Sequence, residues 1–272
     1  MNGTIRKTFL FALLVLLAAG TVLPLYWMGI SAFKNDAEIT RTPPTFWPER
    51  WTGANVLAMA RKFARPCVNS LIVSGACTVL IVVFSTLAGY ALAKKKFLGR
   101  DAFLALLVGT MLIPPAVLIV PLYCVIKAVG LVNTLTGLIL PFAVTAFGIF
   151  LMRQFAAEIP DSLLESARID GWGEWMIFWR VAFPLLKPAM AVLAIIEFVN
   201  NWNSFAVPFV LISTESKQTL QLALAAVRTG YEITPWSKVM AGALITVVPV
   251  VAVFMVFQRG IIRSIMKGAV KG

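Results

Sequence analysis

Histidine is absent from the 272 residues. That excludes His-based catalytic triads and His-ligated metal sites. Cysteine is scarce: Cys67, Cys77 and Cys124 border or sit in apolar runs, with no C-x-x-C spacing. Neither a disulfide framework nor a zinc site is expected, and the thiols read as small apolar side chains. Charge is thin as well. Only 13% of residues are charged, against about 25% in a typical soluble domain. No G-x-x-x-x-G-K-[ST] phosphate loop occurs, so the chain does not cradle ATP by that route. No internal repeat or low-complexity segment stands out. What fills the sequence is apolar, 60% of it. A soluble enzyme is excluded. So is a nucleic-acid binder, despite a net charge of +12, because the basic residues are scattered between apolar runs rather than gathered on one face.

Several runs approach the roughly 20 residues that cross a bilayer as a helix. The first begins after Arg6 and Lys7 and continues from Phe9 through Tyr26 and Trp27 to Ile30. It is too long for the apolar core of a signal peptide and reads as a retained helix. Five more are expected at Cys67–Ala93, Ala102–Cys124, Thr134–Met152, Leu185–Leu211 and Val239–Phe257. Six spans put both ends on one side. The short connection 94–101 carries Lys94, Lys95, Lys96 and Arg100, whereas 125–133 carries Lys127 alone. The positive-inside bias therefore places both termini in the cytoplasm.

Two connections carry pattern of their own. In 31–66, Thr42-Pro43-Pro44 and Phe46-Trp47-Pro48 make a stiff aromatic stretch suited to an interface. Val56, Leu57, Ala60, Phe63 and Ala64 then recur at helical spacing, which predicts a short helix lying on the outer surface. Residues 1–66 thus read as a first helix with an outer interfacial segment, and 67–272 as a core of five spans. In 153–187, Ser162 and Glu165 have capping-box spacing, and Asp170-Gly171 supplies a stop. A second amphipathic stretch, Glu174 to Phe183, leads to Pro184. Trp172, Trp175, Phe178 and Trp179 give this hairpin more aromatic surface than water requires, which points to a protein partner.

The run Glu165-Ser166-Ala167-Arg168-Ile169-Asp170-Gly171, followed by Val181-Ala182-Phe183-Pro184-Leu185-Leu186-Lys187-Pro188, resembles the EAA loop of ABC importer permeases. Ser166 stands where that family has Ala, and Phe183 where it has Leu. Ser31-Ala32-Phe33-Lys34, Val68-Asn69-Ser70-Leu71, Ala88-Gly89-Tyr90-Ala91-Leu92, Asn201-Trp202-Asn203 and Gly268-Ala269-Val270-Lys271-Gly272 look like the carbohydrate-uptake branch, in particular its smaller maltose-type subunit. The resemblance implies an all-α polytopic permease of six transmembrane helices with both termini cytoplasmic, in a bacterial or archaeal cytoplasmic membrane. It implies that 153–187 forms a coupling helix docking on an ATPase, with Glu165, Ala167, Asp170 and Gly171 at the motif positions. The cytoplasmic tail 258–272 is similar to tails that reach between the ATPases. Implied partners are a homologous second permease, two ATPase subunits that bind ATP and Mg, an extracytoplasmic solute-binding protein and a sugar. No cofactor belongs to this chain.

The fifth span holds the candidate substrate contacts. Glu197, Asn200, Asn201 and Ser204 recur at i, i+3, i+4 and i+7, with Trp202 and Phe205 beside them. Such groups inside a membrane line a pathway or pair with a partner helix, and both readings stay open. Tyr123 and Lys127 are weaker candidates. The absence of a mid-span basic residue favours a sugar or oligosaccharide over a glycerol-phosphate ester, with a polyol also possible. Two readings of other classes are a proton-coupled carrier relaying through Glu197 and a sensor scaffold that docks a protein on the hairpin.

Overall fold

The computed structural model describes the backbone of residues 3–227 and 235–269 and the side chains of 7–227 and 235–255. Among the described residues every regular element is helical. The α-helices are α1 (Gly3–Ser31), α2 (Asp36–Ile39), α3 (Ala54–Lys94), α4 (Arg100–Thr110), α5 (Ile119–Ala128), α6 (Leu135–Ile139), α7 (Ala146–Ala157), α8 (Asp161–Ile169), α9 (Glu174–Ile177), α10 (Phe183–Trp202), α11 (Ala206–Leu211), α12 (Leu220–Ala226) and α13 (Trp236–Ala269). A π-helical turn, Phe178–Ala182, joins α9 to α10.

Among the described residues, four stretches are long and apolar enough to cross a membrane unbroken: Lys7–Ser31, Ala54–Lys94, Glu174–Trp202 and Trp236–Met255. Two bent pairs raise the number to six if each pair is one span. The expected span Ala102–Cys124 is not straight. Its two arms, Arg100–Thr110 and Pro115–Ala128, meet at 96°. Pro114 and Pro115 lack the amide donors that would continue the ladder, and their rings clash with the preceding turn. The expected span Thr134–Met152 bends by 41° between Leu135–Phe142 and Ala146–Ala157. Here Thr145 takes an extended conformation and accepts the Gly148 amide, so a new helix starts. The fifth span also departs from expectation. Its helix ends at Trp202, resumes at Ala206, and extends backwards through Pro184 and Pro188 to Glu174. The predicted surface helix at 56–64 is instead the first turns of α3, which runs on through Pro66.

The chain divides into two compact units. Unit 1 holds 1–65 and 223–249. The stretch expected to be a stiff outer interfacial segment is folded around a buried cation. Lys34 is fully buried, lies 4.8 Å from the Trp27 ring centre, and donates its ammonium to the Thr45 carbonyl. Glu38, also buried, accepts the Thr45 hydroxyl and the Glu49 amide, each at 2.9 Å. Asn55 donates to the Lys34 carbonyl, and Asp36 accepts the Ser237 amide at 2.7 Å. Within α1, Phe9 through Leu25 are all exposed.

Unit 2 holds 66–222 and 250–272. Its core includes Cys77, Ile81, Met152, Ile177, Leu186 and Leu193. The close crossing of α3 and α7 depends on small residues. A Cβ added at Gly89 would sit 2.6 Å from the Arg153 backbone nitrogen, and one at Gly148 would press on Ser85 and Ile81. In a membrane, where lipid tails give no hydrophobic drive for association, such backbone approach supplies the packing.

Candidate functional site

The hairpin of α8 and α9 is built from three local decisions. Pro160 occupies the N-cap position of α8 and makes no side-chain cap. The expected capping box is therefore absent: Ser162 already lies inside the first turn, and its carbonyl accepts the Ser166 hydroxyl at 2.9 Å. Asp161 sits in that first turn, where its charge suits the exposed amides. The hydrogen bond and charge of Lys94 hold its carboxyl below the usual aspartate range.

The stop at Gly171 is as expected. Its φ is +81°, its amide donates to the Arg168 carbonyl, and the Trp172 amide donates to the Ala167 carbonyl, both at 3.0 Å. This is a Schellman termination. A Cβ at Gly171 would meet nothing within 4 Å, so the requirement is for the left-handed backbone, not for space.

Of the four motif residues, Ala167 is buried beside Leu164 in the core, while Glu165, Asp170 and Gly171 are exposed. Exposed with them are Ile169, at 86%, and Trp175, at 67%, joined by Leu163, Met176 and Trp179. Phe178 is buried, 5.1 Å from the ring of Tyr90. Hence only part of the aromatic surface expected for a partner is available, and Ile169 is its most exposed apolar member.

Lys94, Lys95 and Glu174 were missed as site residues. The lysines were legible only as basic charge, because the contacts they make are with residues more than sixty positions away. Lys94, the last residue of α3, donates to the Ile159 carbonyl at 2.6 Å, the Ala157 carbonyl at 3.4 Å and Asp161 Oδ1 at 2.8 Å. Lys95 pairs with Glu174, whose other oxygen accepts Arg168 Nε at 3.0 Å.

The second candidate region does not form one open face. Glu197 is buried on α10 and its Oε1 accepts the Thr145 hydroxyl at 2.9 Å. That same hydroxyl caps α7. Glu197 is therefore engaged within its own unit. Asn200 is exposed. Trp202 is 1% exposed and stacks on Phe198 with ring centres 5.7 Å apart, so it offers no face to a sugar ring. Ser204 lies beyond the end of α10, not on its continuation. Yet Ser204 and Asn201 do meet, in a narrow cavity with Ser70, Ser74 and Thr219. The cavity has room for about one water. The hydroxyls of Ser74 and Thr219 are buried there without a hydrogen-bond partner. Asn201 donates to the Glu197 carbonyl at 2.8 Å. No basic side chain lines this cavity. Tyr123 packs against the unit 2 core. The tail beyond Ala269 lies outside the described residues.

Residues 50–267 match the family described as binding-protein-dependent transport system inner membrane component. The arabinooligosaccharides transport system permease protein AraQ of Halalkalibacterium halodurans is 35% identical over 256 residues, covering 92% of this chain and 91% of that one. The sn-glycerol-3-phosphate transport system permease protein UgpE of Yersinia pestis bv. Antiqua is 33% identical, covering 93% and 94%. In fold, the chain is similar to one in the crystal structure of a bacterial ABC transporter involved in the import of the acidic polysaccharide alginate. The TM-score is 0.83 at 24% identity, over 95% of this chain and 98% of that one.

Proposed function

The chain belongs to the family of binding-protein-dependent transport system inner membrane components, and from that membership we propose that it is the permease of an ATP-driven importer for a sugar or oligosaccharide. The observation that carries the coupling is the exposed, rigidly terminated hairpin. Its helix is stopped by a left-handed glycine, and it leaves an apolar patch exposed, with Ile169 the most exposed member. A chain with no phosphate loop needs its energy from elsewhere, and this patch is a surface on which an ATPase subunit would bear. The partners are a second permease, two ATPases that hold ATP and Mg, and a solute-binding protein. Six spans with both termini cytoplasmic place the hairpin, the connection 94–101 and the tail 258–272 on the ATPase side. The basic residues at 94–96 support that direction.

The cavity, with room for about one water, is too small to hold a sugar; what supports a neutral polyhydroxyl substrate is that the polar groups among its lining residues are hydroxyls and an amide, with no cation. A glycerol-phosphate ester is the second reading, favoured by the likeness to UgpE. A proton relay through Glu197 has less support, because its carboxylate is engaged by a helix-capping hydroxyl.

Two measurements test the proposal. Uptake is assayed in cells expressing the complete transporter, with arabinotriose, diacetylchitobiose, an alginate oligosaccharide and glycerol 3-phosphate as probes. A saccharide is expected to enter with ATP dependence, and uptake of glycerol 3-phosphate alone would favour the second reading. Gly171→Trp is expected to leave the chain in the membrane, abolish uptake and loosen the ATPase. Unchanged uptake with the ATPase still bound would sink the coupling role.

A further inference from the structure

We propose that Lys94 and Lys95 clamp the hairpin to the end of α3, making α3 a second arm that carries hairpin movement to the cavity; this rests on the coupling role given above. An ammonium has three donors, and the contacts of Lys94 use three acceptors. Two of these are carbonyls at and just past the end of α7, where intrahelical partners run out. The third is Asp161, the first residue of α8. One ammonium therefore ties the end of one helix to the start of the next. The Lys94 side chain is only 6% exposed, whereas Asp161 is 74% exposed. The ion pair alone would be weak at such a surface. The buried ammonium, however, is held by neutral acceptors as well and has no solvated alternative in place.

The next residue repeats the arrangement on the other limb. Lys95 pairs with Glu174, the first residue of α9, and Arg168 near the end of α8 holds the same carboxylate. Thus both limbs of the hairpin are fastened, at the starts of their helices, to adjacent residues of one helix end. From Lys94 back to Ser74 is a rise of about 30 Å along α3, and Ser70 and Ser74 form one wall of the cavity. The cavity is also lined by Asn201, near the end of α10, and Ser204, just past that end, which the hairpin reaches covalently through α10. The two sets of lining residues are consequently linked to the hairpin by different means, Asn201 and Ser204 by the chain itself, and Ser70 and Ser74 through α3 by the two ammonium groups together with the ring of Tyr90 packed on Phe178. Cutting the ammonium link removes the polar part of that second connection and weakens the transfer of hairpin movement to Ser70 and Ser74.

The test uses the complete transporter, with spin labels on unnatural amino acids at Leu98 and at Ser162 of α8, which are both exposed and lie outside the apolar patch. Wild type is expected to show one narrow label distance that stays the same in nucleotide-free and vanadate-trapped states. Lys94→Met is expected to broaden that distance and make it depend on nucleotide. It should also lower saccharide moved per ATP hydrolysed by about tenfold, the scale of a lost charge-assisted hydrogen bond. The probe is arabinotriose, or whichever member of the panel above enters. The more exposed Lys95→Gln keeps the proposal falsifiable if Lys94→Met fails to assemble, and is expected to act in the same direction. An unchanged label distance, or an unchanged ratio in assembled complexes with only the yield reduced, overturns the clamp. Gly171→Trp is run in parallel. If it uncouples while both lysine variants do not, the clamp fails alone; if it too leaves uptake and ATPase binding intact, the coupling role fails.

Discussion

At Gly171 the demand on the residue is purely one of backbone hand, since a side chain there would find open space. Asn201 answers to a different demand. Its amide donates to the Glu197 carbonyl and also borders the cavity. Asn201→Ala is expected to lower uptake per assembled complex by a few-fold to about tenfold, the worth of one net hydrogen bond, with assembly kept. A loss confined to complex yield would assign this residue to the partner helix instead. Glu38 gives a pH prediction. Burial pushes its carboxyl up, but the Glu49 amide, the Thr45 hydroxyl and the charges of Lys34 and Arg41 outweigh burial, leaving it below its ordinary value of 4.5. A lowered pKa means stability that is present above pH 4.5 and lost as pH falls through the folded value. Glu38→Gln is expected to lower the thermal midpoint by a few degrees at pH 7. The gap from wild type should narrow as pH falls below 4.5 and through the folded value, and a gap that stayed constant down to acid unfolding would count against the ionised-carboxylate account. Single residues were unevenly legible. Gly171 could be read because its signal is local. The burial of Lys34 and Trp202 could not, because it depends on segments distant in the sequence.

Helices carry the next level of argument, and proline decides much of it. Pro114 and Pro115 break one span, whereas Pro66, Pro184 and Pro188 are carried inside continuous helices. Sequence alone gives no rule for which outcome occurs, since neighbours must re-satisfy the freed carbonyl. The capping box at Ser162 failed for a similar reason: Pro160 pre-sets the helix start two residues earlier. Existence and approximate place of the apolar helices were legible from run length, but the bends and the break after Trp202 were not. Gly89 tests the packing of α3 against α7. Gly89→Leu should push the helices apart, costing about 1–3 kcal/mol or more, seen as a lower thermal midpoint and poor yield in detergent. Gly109→Ala in α4, where a Cβ meets nothing within 4 Å, should be tolerated. Equal effects from the two changes would refute the close-approach account.

For the whole molecule the sharpest question is direction across the bilayer. Leu98, fully exposed in the basic connection after α3, should accept a membrane-impermeant label from the cytoplasmic side only once replaced by cysteine. Glu215, exposed in the loop before α12, should do so from outside only. Labelling of position 98 from outside would reverse the orientation and remove the hairpin from the ATPase side. The all-helical architecture was legible throughout, because composition leaves few alternatives inside lipid. The exposure of α1 from Phe9 through Leu25 has a consequence for how much the sequence specifies. Side chains that are not buried within their own unit are constrained in kind more than in order. Over that stretch the chain spells out a solubility rather than a shape, and its letters could be rearranged without changing the message, whereas at Gly89, Lys94 and Gly171 a single letter carries the meaning.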